Sequence, residues 1–210
     1  MFMPRVFVEK NRNKQLELIE NNSLGTLVVS SAGEYDVNHL PFVIDSHDAE
    51  KIRLRAHLPK ANPLCSKVNG KEKCVVIFSG ADGYITPSWY ATKKVHGKVV
   101  PTWNYSVVHV HGMMEIVDDS QWIYSQLTDL TNKNEKMRKE SWKVTDAQAE
   151  FIESQIKALV GLEILVNRIE GKVKASQNQP QENKETILSA LRSEQPDAGL
   201  SKMMESELVK

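Results

Sequence analysis

The pattern of apolar and polar residues changes near the start of the chain, from a helical spacing to the alternation typical of strands. Residues 11–22 carry apolar side chains at helical spacing and predict a short amphipathic helix. Three extended segments follow, at residues 24–31, 35–44 and 51–57. Polar turns separate them, one of them at residues 45–50, and Pro41 marks an edge or bulge because proline cannot donate a ladder hydrogen bond. This meander predicts a mainly β chain built as an antiparallel barrel or sandwich.

The middle of the chain adds a buried strand and one long amphipathic strand. A short helix ends near Val68, residues 73–79 form a continuous apolar run, and residues 80–83 predict a turn. The longest strand covers residues 103–117 and alternates between two faces. One face carries Val108, Val110, Gly112, Met114 and Ile116, and the other carries Val107, His109, His111, Met113 and Glu115.

Helical patterns dominate the remainder. The run of Asp118, Asp119 and Ser120 is the predicted cap of a helix over residues 121–133, and a second helix runs from residue 145 to a stop at Gly161. Their apolar stripes are Trp122, Leu127 and Leu130, and Phe151, Ile152, Ile156 and Leu159. A last strand covers residues 162–169. We predict one main domain at residues 1–178 and a C-terminal helical tail with one short helix at residues 179–210.

Composition narrows the function classes. Of 210 residues, 40% are hydrophobic, which is enough for a sizeable core, and 27 basic residues balance 27 acidic ones. This balance argues against the global basic field of a dedicated nucleic-acid-binding domain. Cys65 and Cys74 are too few for a disulfide framework. Since neither a signal peptide nor an apolar run of about 20 residues is visible, we expect a cytoplasmic chain with no membrane partner.

Aromatic residues concentrate between residues 84 and 112, around a basic loop. Trp89 and Tyr90 precede this loop, and Trp103 and Tyr105 follow it. Their rings could stack on a flat, anionic ligand, and neighbouring polar side chains could bind its edges. These neighbours are Ser88, Lys93, Thr102 and Asn104. The alternative is that the rings serve core packing.

A second group of polar residues follows the third strand. His57, Lys60 and Asn62 lie where that strand ends and a short helix begins. Free N–H groups at a helix start and a lysine can bind phosphate. The alternative is a solvated lysine beside a capping asparagine.

The alternation places His109 and His111 on the same face of the long strand. This spacing can supply two metal ligands, with His39, His57 or Glu115 as candidates for a third. The alternative is a polar lining of a ligand pocket or a subunit interface. Because nothing in the sequence identifies the third ligand, we predict no metal site.

Several sequence strings, taken together and in order, resemble the PaiB-like family of FMN-binding negative transcriptional regulators. The resemblance covers nearly the whole chain. Its main strings are HLPF at residues 39–42, HLPKANP at 57–63, YITPSWY at 84–90, VPTWNY at 100–105, VHVHG at 108–112 and GKVKASQN at 171–178.

The resemblance implies a split β-barrel of the FMN-binding pyridoxamine-phosphate-oxidase-like type, working as a homodimer with FMN between subunits. It implies that Lys60 meets the flavin phosphate, with His57 and Asn62 beside it, although the family commonly has arginine at position 60. It also implies that Asp82 either points away from the phosphate or weakens FMN binding. The implied cofactor contacts are His57, Lys60, Asn62, Ser88, Trp89, Tyr90, Lys93, Thr102, Trp103, Asn104 and Gln177.

The function implied by the resemblance is repression of transcription. The resemblance leaves two partners open, DNA itself or a partner regulator protein. The balanced charge does not support direct contact with DNA, so regulation could be indirect, through the partner protein. One alternative is an FMN-dependent oxidoreductase acting on a small molecule, because fold alone does not decide function. Another is a haem or metal binder on the same barrel, using His109 or His111.

Overall fold

A computed structural model describes residues 1–31, 33–45, 51–196 and 199–208. The predicted turn at residues 45–50 lies outside this part apart from Asp45. The strands are β1 (Val8–Glu9), β2 (Leu24–Ser31), β3 (Glu34–Pro41), β4 (Val43–Asp45), β5 (Arg53–Pro59), β6 (Glu72–Ile85), β7 (Thr102–Val117) and β8 (Leu159–Lys174). The α-helices are α1 (Arg12–Asn21), α2 (Leu64–Lys67), α3 (Lys93–His96), α4 (Ser120–Glu135), α5 (Ala149–Lys157), α6 (Gln181–Glu194) and α7 (Leu200–Leu208). Short 3-10 helices cover Arg5–Phe7, Pro87–Trp89 and Val144–Asp146.

The strands form one sheet in the order β3-β2-β6-β7-β8-β5-β4, and β1 pairs with β8. β2 and β3 form an antiparallel hairpin, and β4 pairs antiparallel with β5. Pro41, predicted to mark an edge or bulge, is the last residue of β3, which stands at one end of the strand order, and β4 starts at Val43. The alternation along β7 is also confirmed: Val108, Val110 and Met114 are buried, whereas His109 and His111 are partly exposed.

Two glycine predictions were wrong, for the same physical reason. The predicted turn at residues 80–83 is part of β6, and Gly161 lies inside β8 instead of ending a helix. A Cβ atom on Gly80 would lie 2.3 Å from the Ser106 hydroxyl oxygen, and one on Gly161 would lie 2.3 Å from the Trp122 ring. These glycines therefore allow close packing of a strand against a side chain, a use that local sequence does not distinguish from a turn.

The two predicted helical stripes were also only partly right. Asp119 caps α4 as predicted, because its carboxylate accepts from the Trp122 N–H at 2.7 Å. The buried residues of α4 are Ile123 and Gln126, however, and not the predicted stripe of Trp122, Leu127 and Leu130. In α5 only Ile156 is buried, and Phe151 is 57% exposed.

The chain divides into two compact units, and β6, β7 and β8 contribute residues to both. The first unit comprises residues 1–21, 79–109 and 170–210, and the second comprises residues 22–78 and 110–169. The core of the second unit includes Phe42 and Phe78, whose rings meet edge to face at 5.7 Å. The predicted domain boundary between residues 178 and 179 stays a prediction.

The core of the first unit is formed largely by its C-terminal helices. Its buried members are Ile85, Tyr90, Ala175, Ile187, Leu191, Leu200 and Met204. The sequence predicted one short helix in this tail, and the structure has two, α6 and α7. Within the described residues, no helix combines the length and apolar character that crossing a membrane requires.

Candidate functional site

In the second unit, His57 lies on β5 opposite Gly161 of β8. Its Nδ1 atom is 2.8 Å from Oε1 of Gln126, which α4 supplies. Gln126 is fully buried, and its Nε2 atom has no hydrogen-bond partner among the described residues. A buried amide donor without an acceptor lowers the stability of the folded state. Gln126 is therefore an incompletely satisfied polar group beside His57.

Lys60 and Asn62 follow β5 and already have protein partners. The Lys60 ammonium lies 2.8 Å from a carboxylate oxygen of Asp118, and both side chains are well exposed to solvent. The Asn62 amide donates to Asn38 at 2.8 Å and accepts from the Leu64 N–H at 3.0 Å. The asparagine therefore caps α2, whereas the lysine retains an exposed ammonium.

The N–H groups at the start of α2 are engaged within the chain. The Cys65 N–H donates to the carbonyl of Asn62 at 3.0 Å, and the Ser66 N–H donates to that of Pro63 at 3.2 Å. The N–H groups of Leu64, Cys65 and Ser66 are therefore engaged and not free to bind an anion in the predicted way. An anion here would have to use the side chains of His57 and Lys60.

In the first unit, the aromatic residues of the 84–112 stretch have different surroundings. Trp89 donates its indole N–H to Glu194 of α6 at 3.0 Å, and Tyr90 is buried in the core. Trp103 is 50% exposed and donates its indole N–H to Asp82 at 3.0 Å. Asp82 thus pairs with an indole, and Trp103 keeps much of its ring surface open.

Three other predicted contacts lie on exposed or turn positions. The Lys93 ammonium is 3.4 Å from the Ser88 hydroxyl oxygen, and both residues are exposed. The Gln177 side chain accepts from the Ala175 N–H and donates to the Val173 carbonyl, each at 2.7 Å. Gln177 therefore stabilises the chain after β8 through both ends of its amide.

A cleft of 190 Å³ in the first unit brings three predicted residues together. Tyr90, Thr102 and Asn104 line it, together with residues that the sequence analysis did not select. These include Lys174, Ser176, Asn178 and Gln179. A second cleft of 260 Å³ shares Tyr90, Val100 and Gln179 with the first and is also lined by His96 and Lys98.

Lys174 and Ser176 are the main residues that sequence reasoning missed. Both lie in the string of residues 171–178 that carried the resemblance, next to the predicted Gln177. Ser176 is 3% exposed and has a left-handed backbone with φ 58°, a rare conformation for a residue other than glycine. The side-chain amide of Asn104 donates to the Ser176 hydroxyl oxygen at 2.9 Å, which links β7 to the end of β8.

The Lys174 ammonium has polar but uncharged partners. It donates to the hydroxyl of Thr102 and, at 2.8 Å, to the backbone carbonyl of Trp103. Burial lowers the pKa of Lys174, Tyr105 opposes this effect and Lys172 adds to it. Burial, and to a smaller extent Tyr84, raises the pKa of Tyr90, so its hydroxyl stays protonated at neutral pH.

Sequence comparison finds relatives along the whole chain. A family model described as "Putative FMN-binding domain" matches residues 1–168. The "Protease synthase and sporulation protein PAI 2" of Bacillus subtilis is 29% identical over 212 residues, which span 100% of this chain and 99% of that protein. The Saccharomyces cerevisiae protein YKL070W is 31% identical over 170 residues, which span 72% of this chain and all of that protein.

Solved structures share the fold at low identity. The "FAD and Heme binding protein" of Mycobacterium smegmatis superposes with a TM-score of 0.60 at 14% identity, covering 87% of this chain and 79% of that one. The flavocytochrome Anf3 of Azotobacter vinelandii gives a TM-score of 0.58 at 15% identity, covering 80% and 69%. The predicted fold class, mainly β with flanking helices, is confirmed, and these solved structures share the fold. The chain belongs to the family of FMN-binding domains that the PaiB-like proteins represent, and FMN is its cofactor.

Proposed function

We propose that the protein is an FMN-binding negative regulator of transcription that acts as a homodimer, with the flavin bound between subunits. The observation that carries this proposal is the end-to-end match with the sporulation protein PAI 2. The aligned residues span 100% of this chain and 99% of that protein. A shared regulatory role follows more readily from such a match than from a match of one domain.

The donors at the end of β5 suit the phosphate of FMN. The Lys60 ammonium pairs with Asp118 at an exposed position, where an ion pair contributes about 1 kcal/mol or less, so a phosphate can compete for it. The Nδ1 atom of His57 is engaged by Oε1 of Gln126, so a phosphate would use the other ring nitrogen of His57, and among the described residues the buried Nε2 atom of Gln126 has no acceptor. We assign His57 and Lys60 as direct phosphate contacts and Asn62 as the residue that holds the loop.

In the proposed homodimer, where the flavin lies between subunits, its ring would contact the aromatic stretch in the first unit of either subunit. Trp103 offers an open ring surface, and Tyr84 meets its edge at a centroid distance of 6.2 Å. Thr102 and Asn104 present a hydroxyl and an amide that suit the polar edge of an isoalloxazine. Ser88, Trp89, Tyr90, Lys93 and Gln177 complete the proposed set of ring-side residues.

Bound FMN supplies one- or two-electron redox chemistry, while the protein positions it and adjusts its electrostatic surroundings. For a regulator, the relevant property is a difference between the two redox states in dimer stability or partner affinity. The residues of the chain would therefore couple flavin binding to assembly, without any need for a proton donor.

The visible spectrum of protein purified without added flavin tests the first part of this proposal. We expect flavin absorption that is released on denaturation, together with a dimer in size-exclusion chromatography coupled to light scattering. A colourless protein that also fails to bind added FMN would contradict flavin binding, and a monomer in the FMN-loaded state would contradict the dimer.

A gel-shift titration at two salt concentrations tests whether the regulator contacts DNA itself. Because phosphate contacts release counterions, direct binding must weaken steeply as salt rises. Binding at physiological salt with this dependence supports direct repression. Absence of DNA binding by the FMN-loaded dimer, with steady oxidation of a nicotinamide cofactor, would favour an FMN-dependent oxidoreductase instead.

A further inference from the structure

The charged side chains that line the two adjoining clefts of the first unit are all basic. Their linings include Lys174, Lys98 and His96, and none of the described lining residues is acidic. The whole chain, in contrast, balances 27 basic against 27 acidic residues. Local imbalance in a concave site of a neutral protein raises the local concentration of anions.

Lys174 is the cation best placed to bind such an anion. Its side chain is partly buried, and none of its partners within the described residues is a carboxylate. An ammonium has three N–H donors, and Lys174 uses two of them on Thr102 and Trp103. A partly buried charge without a counter-charge is unfavourable, so the third donor is available to an anionic ligand.

The cleft also offers neutral donors held by an unusual backbone. Ser176 adopts its left-handed conformation at the wall of the cleft, where its hydroxyl bonds to the Asn104 amide. That amide keeps a second N–H beyond its bond to Ser176. Strained residues persist where the surrounding structure stabilises them, and they occur preferentially at ligand sites.

The volume of this cleft limits the ligand that it can hold. Its 190 Å³ is below the roughly 300 Å³ at which pockets for whole drug-sized ligands begin, so it suits one end group or a small molecule. Lys174 and Ser176 lie outside residues 1–168, the part matched by the FMN-binding family model, whereas Tyr90, Thr102 and Asn104 of the same cleft lie inside it.

We propose that this cleft binds a second ligand beside the flavin, a small molecule with a terminal carboxylate or phosphate that pairs with Lys174 and accepts a hydrogen bond from the second N–H of Asn104, while the Ser176 hydroxyl holds that amide. This inference rests on the proposed flavin site. It adds the chemical class of the effector or substrate that would bind next to the flavin ring. Thr102, Asn104 and Tyr90 are also proposed flavin contacts, so they would serve both ligands, through a hydroxyl, an amide and a ring respectively.

Calorimetric titration of FMN-saturated protein with inorganic phosphate and, separately, with succinate tests the proposal. We expect saturable binding of at least one probe, and the preferred probe distinguishes a phosphate-bearing from a carboxylate-bearing ligand. Lys174→Met should weaken this binding about tenfold or more, as loss of a charge-assisted hydrogen bond does, and Lys174→Arg should restore most of it. Lys202→Met, at an exposed position of α7, removes the same charge and should change nothing.

The FMN affinity of each variant is measured in parallel. An unchanged FMN affinity shows that Lys174→Met is folded and that its effect belongs to the anion. The proposal is overturned if neither probe binds the FMN-saturated protein, or if Lys174→Met binds the probe as well as the native chain does. It is also overturned if added FMN displaces the probe from protein that was loaded with the probe first. A protein that binds no FMN but binds phosphate through Lys174 contradicts the proposed function while supporting the anion cleft.

Discussion

Lys60 and Lys71 form comparable ion pairs in the same unit but have different proposed roles. Lys60 lies 2.8 Å from Asp118, and Lys71 lies 3.6 Å from Glu115. Because both pairs are exposed, replacing either lysine by alanine should lower the free energy of unfolding by about 1 kcal/mol or less. Lys60→Ala should also weaken FMN binding about tenfold, because it removes a charged phosphate contact.

Flavin fluorescence quenching measures the FMN affinity, and urea unfolding measures the stability of the same samples. Lys71→Ala is the matched control and should bind FMN like the native protein. Equal FMN affinities for the two variants would remove Lys60 from the phosphate site.

Cys74 gives a residue-level prediction about pH. Burial raises the pKa of its thiol to about 12. The thiol also donates a weak hydrogen bond to the Gly112 carbonyl. The unfolded thiol titrates near 9, so between pH 9 and about 12 the folded state holds a proton that the unfolded state has lost. This contribution to stability is complete below pH 9 and decreases as the pH rises through this window.

Urea unfolding at pH 8 and pH 10 checks the prediction. The native protein should lose more stability between these two values than Cys74→Ala does, by an amount limited to about 1.4 kcal/mol for each pH unit above 9. The difference between the two proteins isolates Cys74 from tyrosines and lysines that titrate in the same range. Identical losses in both proteins would show that the thiol does not titrate in this window.

At the scale of elements, helix α6 holds the aromatic stretch through a buried polar clamp and an apolar face. Asn183 accepts from the Thr92 N–H and donates to the Thr92 hydroxyl, each at 3.0 Å. Ile187, fully buried, belongs to the cluster that also contains Ile85 and Tyr90. The tail therefore contributes buried residues to an apolar cluster of the first unit.

We expect Ile187→Ala to destabilise the protein by about 2–5 kcal/mol, because it leaves a cavity in this cluster. Ser189→Ala, at an exposed position of the same helix, should change the stability by less than about 0.5 kcal/mol. Chemical denaturation followed by circular dichroism measures both variants. Equal stabilities would mean that α6 contributes little to the core.

Elements with a regular period were predictable, and those shaped by distant contacts were not. The alternation along β7 predicts its faces, because a strand exposes every second residue to the same side. The burial of Gln126 and the strand position of Gly161 depend on His57 and Trp122, which lie far away in sequence. Local patterns contain no information about such partners.

The candidate site was predictable to a similar degree. Thr102 and Asn104 were selected because they flank aromatic residues, and they do line a cleft. Lys174 and Ser176 were missed because they reach that cleft from the end of β8, about seventy positions further along the chain. Only the pairing of strands brings such residues together, and residue types alone do not specify that pairing.

At the scale of the whole molecule, FMN should stabilise the folded protein through mass action. Free FMN at about one hundred times its dissociation constant should raise the free energy of unfolding by about 2.7 kcal/mol, provided that the unfolded chain does not bind it. Riboflavin, which lacks the phosphate, should stabilise less at the same concentration. Thermal unfolding with each ligand measures the effect, and equal stabilisation by both would argue against a phosphate contact.

Because the Trp89 indole donates a hydrogen bond to Glu194 of α6, its intrinsic fluorescence can report whether the C-terminal helices are attached. Trp89 reports on α6, whereas Trp103 pairs with Asp82 and remains half exposed to water. Release of the C-terminal helices would transfer the Trp89 indole to water and red-shift its emission. The emission spectrum of the native chain minus that of Trp89→Phe therefore follows attachment of the tail in real time, without a label and in the presence of any partner that lacks tryptophan.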